Sequence, residues 1–152
     1  MQQRRVVTQV DSHAALPRAD PDNLAGLAAG QPASCTLAAA AGAANISLVT
    51  IQVKDDNGNN ITAPTVLVVS LSDAASGAGL TATTASGAVA AGASGVDLDA
   101  MVSKKALYVQ TDATGKYILS ITDTAKTHFY VVAEIPGKKV NVSAQLADAS
   151  YG

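Results

Sequence analysis

Apolar and polar residues alternate strictly over 46–54, where Val49, Ile51 and Val53 interleave with Thr50, Gln52 and Lys54. A period of two puts successive side chains on opposite faces of an extended chain. This stretch therefore predicts a strand with one buried and one wetted face. Residues 65–72 read as a second strand, with Leu67, Val69 and Leu71 on one face and Val66 and Val68 on the other. Apolar residues on both faces predict cover from two sides or an interface. The pattern returns at 106–111, 116–122, 127–135 and 139–146. In the last, Val140, Val142, Ala144 and Leu146 alternate with Asn141, Ser143 and Gln145.

Turn signals separate these runs. Asp55 to Asn60 contains Asn57-Gly58, a pair that readily adopts positive φ. Asp112 to Gly115 is a second turn of the same kind, and Pro136-Gly137 a third. Two segments thus repeat one design: strand, Asp-rich turn with glycine, strand. They run from Val49 to Leu71 and from Val109 to Ala133.

Three stretches lack a clear period. Residues 1–32 mix charges, Pro17, Pro21 and Pro32 with short apolar pieces, and Asp22 is placed to cap a helical turn beginning at Asn23. They read either as a disordered tail or as an arm that orders on a neighbouring subunit. Val6, Val7, Val10, Leu16, Leu24 and Leu27 would be unusual in a freely solvated tail. From 33 to 45 alanine dominates. Cys35 to Leu37 reads as a first edge strand, and 38–44 as a loop. Residues 73–104 are rich in Gly, Ala, Ser and Thr. There we expect a short strand around Leu80 to Thr84 and a loop over 85–95. Val96 and Leu98 then form a strand or turn, with Asp97 and Asp99 outward. Seven or eight short strands with almost no helix predict an all-β antiparallel sandwich over 33–152, preceded by an extended N-terminal arm over 1–32.

Composition narrows the function classes. The chain has 152 residues, 48% of them apolar, enough for one domain with a core. Its net charge of −2 speaks against a nucleic-acid partner, which needs a concentrated basic face. The single cysteine, Cys35, allows no intrachain disulfide and reads as a small apolar side chain. No run approaches the ~20 apolar residues that span a bilayer, so no membrane partner is expected. Arg4 and Arg5 are followed by Asp11, Pro17, Asp20 and Asp22 in place of an apolar signal stretch, which predicts synthesis in a reducing cytoplasm.

Candidate chemistry is sparse. Asp55, Asn57 and Asn59 match the opening of a calcium loop, but Asn60 stands where glycine is needed and Val66 where a bidentate glutamate is needed. A hairpin turn fits better. Asp97 and Asp99 are spaced like paired carboxylates, yet tryptophan is absent and Phe129 is the single phenylalanine, so no sugar-stacking platform accompanies them. Tyr117 is placed for a tyrosine-corner bond. His13 and His128 are the only histidines, too few for a zinc site without Cys35 or carboxylates, and no serine-histidine-aspartate set or nucleophile elbow is present. Three sequons begin at Asn45, Asn60 and Asn141, and without a signal stretch they read as turn and strand residues. Lys104-Lys105 and Lys138-Lys139 read as solvated turns, or as contacts to an acidic surface. No cofactor is expected.

The segment Val49 to Leu71 resembles the opening of bacterial immunoglobulin-like domains of the invasin and intimin type. The carriers are Val53, Asp55, Gly58, Asn59 and Ile61, in a turn between two apolar strands. Thr111-Asp112, Gly115 and the strand pair through Phe129 to Ala133 resemble the close of the same domain. The likeness covers 48–135 and departs from the pattern in the Ala/Gly-rich middle. Such domains also occur on tailed-phage virions, as head decoration proteins and in tail proteins. The resemblance implies a non-enzymatic virion protein on a capsid surface, with the major capsid protein and sister copies as partners and a trimer as the expected oligomer. The arm would then supply the contacts, through Arg4, Arg5, Val6, Val7, Val10, Leu16, Leu24 and Leu27. Alternatives from other classes are a tail fibre or tube component, and an adhesive module binding a host-surface glycan through residues 73–104. A hydrolase ranks last.

Overall fold

In the computed structural model, residues 30–152 are described. They form β1 (Ser34–Ala41), β2 (Ile46–Lys54), β3 (Val66–Ser72), β4 (Val89–Ala91), β5 (Val96–Val102), β6 (Ala106–Gln110), β7 (Lys116–Thr122), β8 (Tyr130–Glu134) and β9 (Val140–Val142), with one 3₁₀ turn at Asp148–Ser150. One antiparallel sheet has the order β1-β2-β7-β4 and the other β5-β6-β3-β8-β9. The all-β expectation therefore holds at the level of two packed antiparallel sheets. The arm contacts Arg4, Arg5, Val6, Val7, Val10, Leu16, Leu24 and Leu27, together with His13 and the Asp22 cap, lie outside the described residues.

The alternation read in the sequence builds the core. Val49, Ile51 and Val53 of β2 and Tyr117, Leu119 and Ile121 of β7 point inward from the first sheet. Leu67, Val69 and Leu71 of β3, Leu107 and Val109 of β6, and Val131 and Ala133 of β8 meet them from the second. Phe129, just before β8, is fully buried with them. β1 lies against β9 and β4 against β5, so the sheets stack edge over edge. β5 is one edge of the five-stranded sheet, and none of its residues is buried.

Four expectations need correction. The alanine run is strand, not loop: β1 pairs with β2 in unbroken register from Ser34↔Lys54 to Ala41↔Ser47. Backbone pairing to a well-formed neighbour outweighs the low strand preference of alanine, whose side chains stay exposed along this edge. Residues 80–84 are loop, not strand. There Thr81 is buried, its hydroxyl donates to Asp73 Oδ1 at 2.6 Å, and the Ala82 amide donates to Asp73 Oδ2 at 2.8 Å. The Thr81 amide also donates to the Leu71 carbonyl of β3 at 2.8 Å, so the segment is pinned by a few bonds beside the strand without forming a ladder. The expected loop over 85–95 contains β4, whose Val89 and Ala91 pack on the core beside β7. Lastly, β9 ends at Val142, and Val142 pairs with Val132 on the outer face. Only Leu146 of the alternating set reaches the core, with its amide donating to the Phe129 carbonyl at 2.8 Å. With β4 and β5 both formed, the described residues hold nine strands where seven or eight were expected.

Candidate interaction surface

The two Asp-Gly turns are closed by their own carboxylates. Asp55 Oδ1 accepts the amides of Asn57 at 2.9 Å and Asn59 at 2.8 Å, while Oδ2 accepts the Gly30 amide at 3.2 Å. Burial alone would raise the Asp55 carboxyl, but these donors outweigh it and hold it below the usual carboxylate range. Asp112 Oδ1 likewise accepts the Thr114 hydroxyl at 2.6 Å and the amides of Thr114 and Lys116. The Thr114 hydroxyl bond is the largest influence lowering Asp112. Such carboxylates are aimed at the backbone of their own loops. Asp73 and Asp123 do the same work and went unremarked in the sequence. Asp123 is 1% exposed and accepts the amides of Ser86 at 3.1 Å, Ala125 at 3.3 Å and Thr127 at 2.8 Å. Burial pushes its carboxyl up, but the Thr127, Ser86 and Ala125 bonds prevail and bring it down to about 2. Its signal was an aspartate directly after a strand, four residues before a threonine.

The paired carboxylates of β5 separate. Asp97 is exposed, as expected, but its carboxylate is engaged by the opposite sheet. Its Oδ1 accepts the Tyr117 hydroxyl at 2.6 Å and its Oδ2 accepts the Ala91 amide at 2.9 Å. This stitches β5 of one sheet to β7 and β4 of the other. Tyr117 is raised above an ordinary tyrosine, first by burial and then by the Asp97 bond and charge. The hydroxyl expected to reach backbone in a tyrosine corner thus reaches a carboxylate. Asp99 stays exposed, opposite Tyr108 of β6.

The remaining candidates are scattered. His128 is exposed in the segment before β8, and its Nε2 lies 2.9 Å from Asp148 Oδ1. Cys35 is buried, which pushes its thiol up to about 11, so it is a poor nucleophile and a poor ligand. Lys104 and Lys105 are not free turns: their ammonium groups donate to the carbonyls of Ala85, Ser86 and Ala82 and hold the 82–86 loop. Lys138 and Lys139 are exposed, as expected. Among the described residues, no three His, Cys, Asp or Glu side chains gather as a metal would require.

What the geometry does bring together is apolar. On the outer side of the five-stranded sheet, Val66 and Val68 of β3, Tyr108 of β6 and Val142 of β9 are partly exposed. Gly77 rests against Val132 and Val142, so the 73–81 loop covers that side of the face. The opposite side has no such cover. There Val96 is 52%, Leu98 48%, Met101 56% and Val102 41% exposed. The pairing of β5 to β6 shifts register between Asp97 and Asp99 and again before Val102. The first shift leaves Asp97 opposite core-facing Val109 and sets Asp99 opposite outward-facing Tyr108. The sequence reading missed this patch because it gave the solvent face to Asp97 and Asp99, whereas Val96 and Leu98 are exposed as well.

Comparison with protein-family models, with curated proteins and with solved structures found no match to this chain.

Proposed function

We propose that the protein is a non-enzymatic structural component of a tailed-phage virion: a capsid decoration protein that displays an immunoglobulin-like domain and is anchored through residues 1–32. The strand order supports the immunoglobulin-like part. β1-β2-β7 in one sheet and β9-β8-β3 in the other follow the arrangement in which strands A, B and E face strands G, F and C. Departures fall within 73–110, where β4, β5 and β6 are inserted in an order that differs from antibody domains.

One observation carries the functional reading. Asp55, Asp73, Asp112 and Asp123, side chains suited to chemistry, are bound to the protein's own loops and Asp97 to two strands of the opposite sheet, while among the described residues most of the exposed large apolar side chains lie on one strand, β5. Such a molecule suits assembly more than turnover. Apolar burial supplies contact energy, and repetition over a lattice multiplies it. In the test, the full chain and a chain lacking residues 1–29 are incubated with undecorated heads, and occupancy is counted. Loss of binding by a truncated protein that still melts cooperatively is expected. Full occupancy by the truncated protein would refute the anchoring role.

A further inference from the structure

We propose that β5 is the docking site for residues 4–10 of a neighbouring copy of this chain. This deepens the reading above by naming a partner for the arm. Its test contains no capsid, so the two readings fail separately.

The β5 surface fits an extended segment better than a globular partner. It is one strand long, apolar through Val96, Leu98, Met101 and Val102, and lies at a sheet edge with one neighbour, β6. A patch of this kind amounts to roughly a few hundred Å². Each partner in a stable globular interface contributes roughly 800 Å². An added extended chain gains backbone hydrogen bonds as well as side-chain burial, and so needs less area. Pairing of β5 with β5 of a second copy is disfavoured. In an antiparallel two-fold pairing centred on the strand, Asp99 would face Asp99, and like charges directly opposite repel.

Charge selects the occupant. The three arginines of the chain, Arg4, Arg5 and Arg18, all precede residue 30, and the described residues contain only lysine as a permanent cation. Residues 4–10 combine Arg4 and Arg5 with Val6, Val7 and Val10. Such a segment complements a surface of exposed apolar side chains beside Asp99. Among the described residues, Asp99 makes no ion pair.

Chain path selects a neighbour over the same copy. The Gly30 amide is held on Asp55, and the Ala33 amide donates to the Lys54 carbonyl at 2.9 Å, so Gly30, the first described residue, lies at the β1–β2 flank of the first sheet. β5 lies on the opposite flank, since β1 stacks on β9 and β4 on β5. A route back to the same β5 must round the whole sandwich, whereas a neighbour beside the β1 flank is met directly. Departure on one flank and reception on the other is a head-to-tail contact, which closes into a ring when the rotation permits.

Disulfide trapping between full-length chains tests this. A Val7→Cys chain is mixed with a Leu98→Cys chain, and separately with a Val96→Cys chain. A Thr50→Cys chain, altered on the outer face of the first sheet, is the control. Buried Cys35 stays silent. Interchain linkage to position 98 or 96 at least about tenfold faster than to position 50 is expected. Asp99→Lys on the acceptor should slow it, as should 1 M salt. Equal rates at positions 98, 96 and 50 would overturn the proposal. So would a doubly substituted Val7→Cys, Leu98→Cys chain that links only within itself, because the occupant would then be the chain's own segment.

Discussion

Asp123 shows how one side chain sets the behaviour of a loop. Its folded-state carboxyl lies near 2 against an ordinary 3.8, so the folded state favours the ionised form. The stabilisation is fully present above about pH 4 and is lost as pH falls toward about 2. Asp55, Asp73 and Asp112, also lowered, act in the same direction. Asp123→Asn should cost about 1–3 kcal/mol at neutral pH, because an amide meets the amide donors with one oxygen instead of two. Its melting temperature should then fall less than that of the parent between pH 4 and 2. Thermal melts across that range check both halves. The two turn glycines make a second residue-scale contrast. Both have positive φ, +80° at Gly58 and +69° at Gly115. A Cβ at Gly58 meets open space, whereas at Gly115 it collides with the Ile61 carbonyl. Gly58→Ala should therefore cost about 1–2 kcal/mol of backbone strain. Gly115→Ala should cost clearly more, read from denaturant midpoints. Ser47 completes the set: its Oγ is buried without a hydrogen-bond partner among the described residues. Ser47→Ala should leave stability unchanged or raise it by about 1 kcal/mol.

At the scale of elements, β5 is tied to the opposite sheet through the hydroxyl of Tyr117 and the carboxylate of Asp97. Tyr117→Phe should cost about 1–2 kcal/mol. It should also speed hydrogen exchange at β5 amides more than at β2 amides, measured by mass spectrometry. Unchanged exchange at β5 would show that the strand is held by β6 alone. β9, foretold over 139–146, is a shorter edge strand, whereas the other elements that alternation foretold, β2, β3, β6, β7 and β8, have one face on the core and neighbours on both sides. A strand so placed must carry a period of two. The elements missed, or foretold only in part as at Cys35 to Leu37 and at Val96 and Leu98, are edges or short pieces. β1 is alanine held by pairing, β4 has three residues, and β5 is bulged. Their conformation depends on partners distant in sequence, and such dependence leaves little local trace.

At the scale of the molecule, the two sheets and their shared core were legible because Val, Ile and Leu mark the inward positions so regularly. The candidate surface was not. Asp97 and Asp99 looked like one acidic pair, yet the fold directs Asp97 to Tyr117 and leaves Asp99 among exposed apolar neighbours. Spacing alone could not say which would face a partner, since that depends on bulges. The virion reading draws together a strand order that supports an immunoglobulin-like domain, carboxylates engaged in loops, and an uncovered apolar edge. Its most direct test is the protein content of purified phage heads, by quantitative mass spectrometry with imaging of the same particles. The account predicts this chain on the head surface at a fixed ratio to the major capsid protein. Its absence from heads, or its presence only in tails, would contradict it.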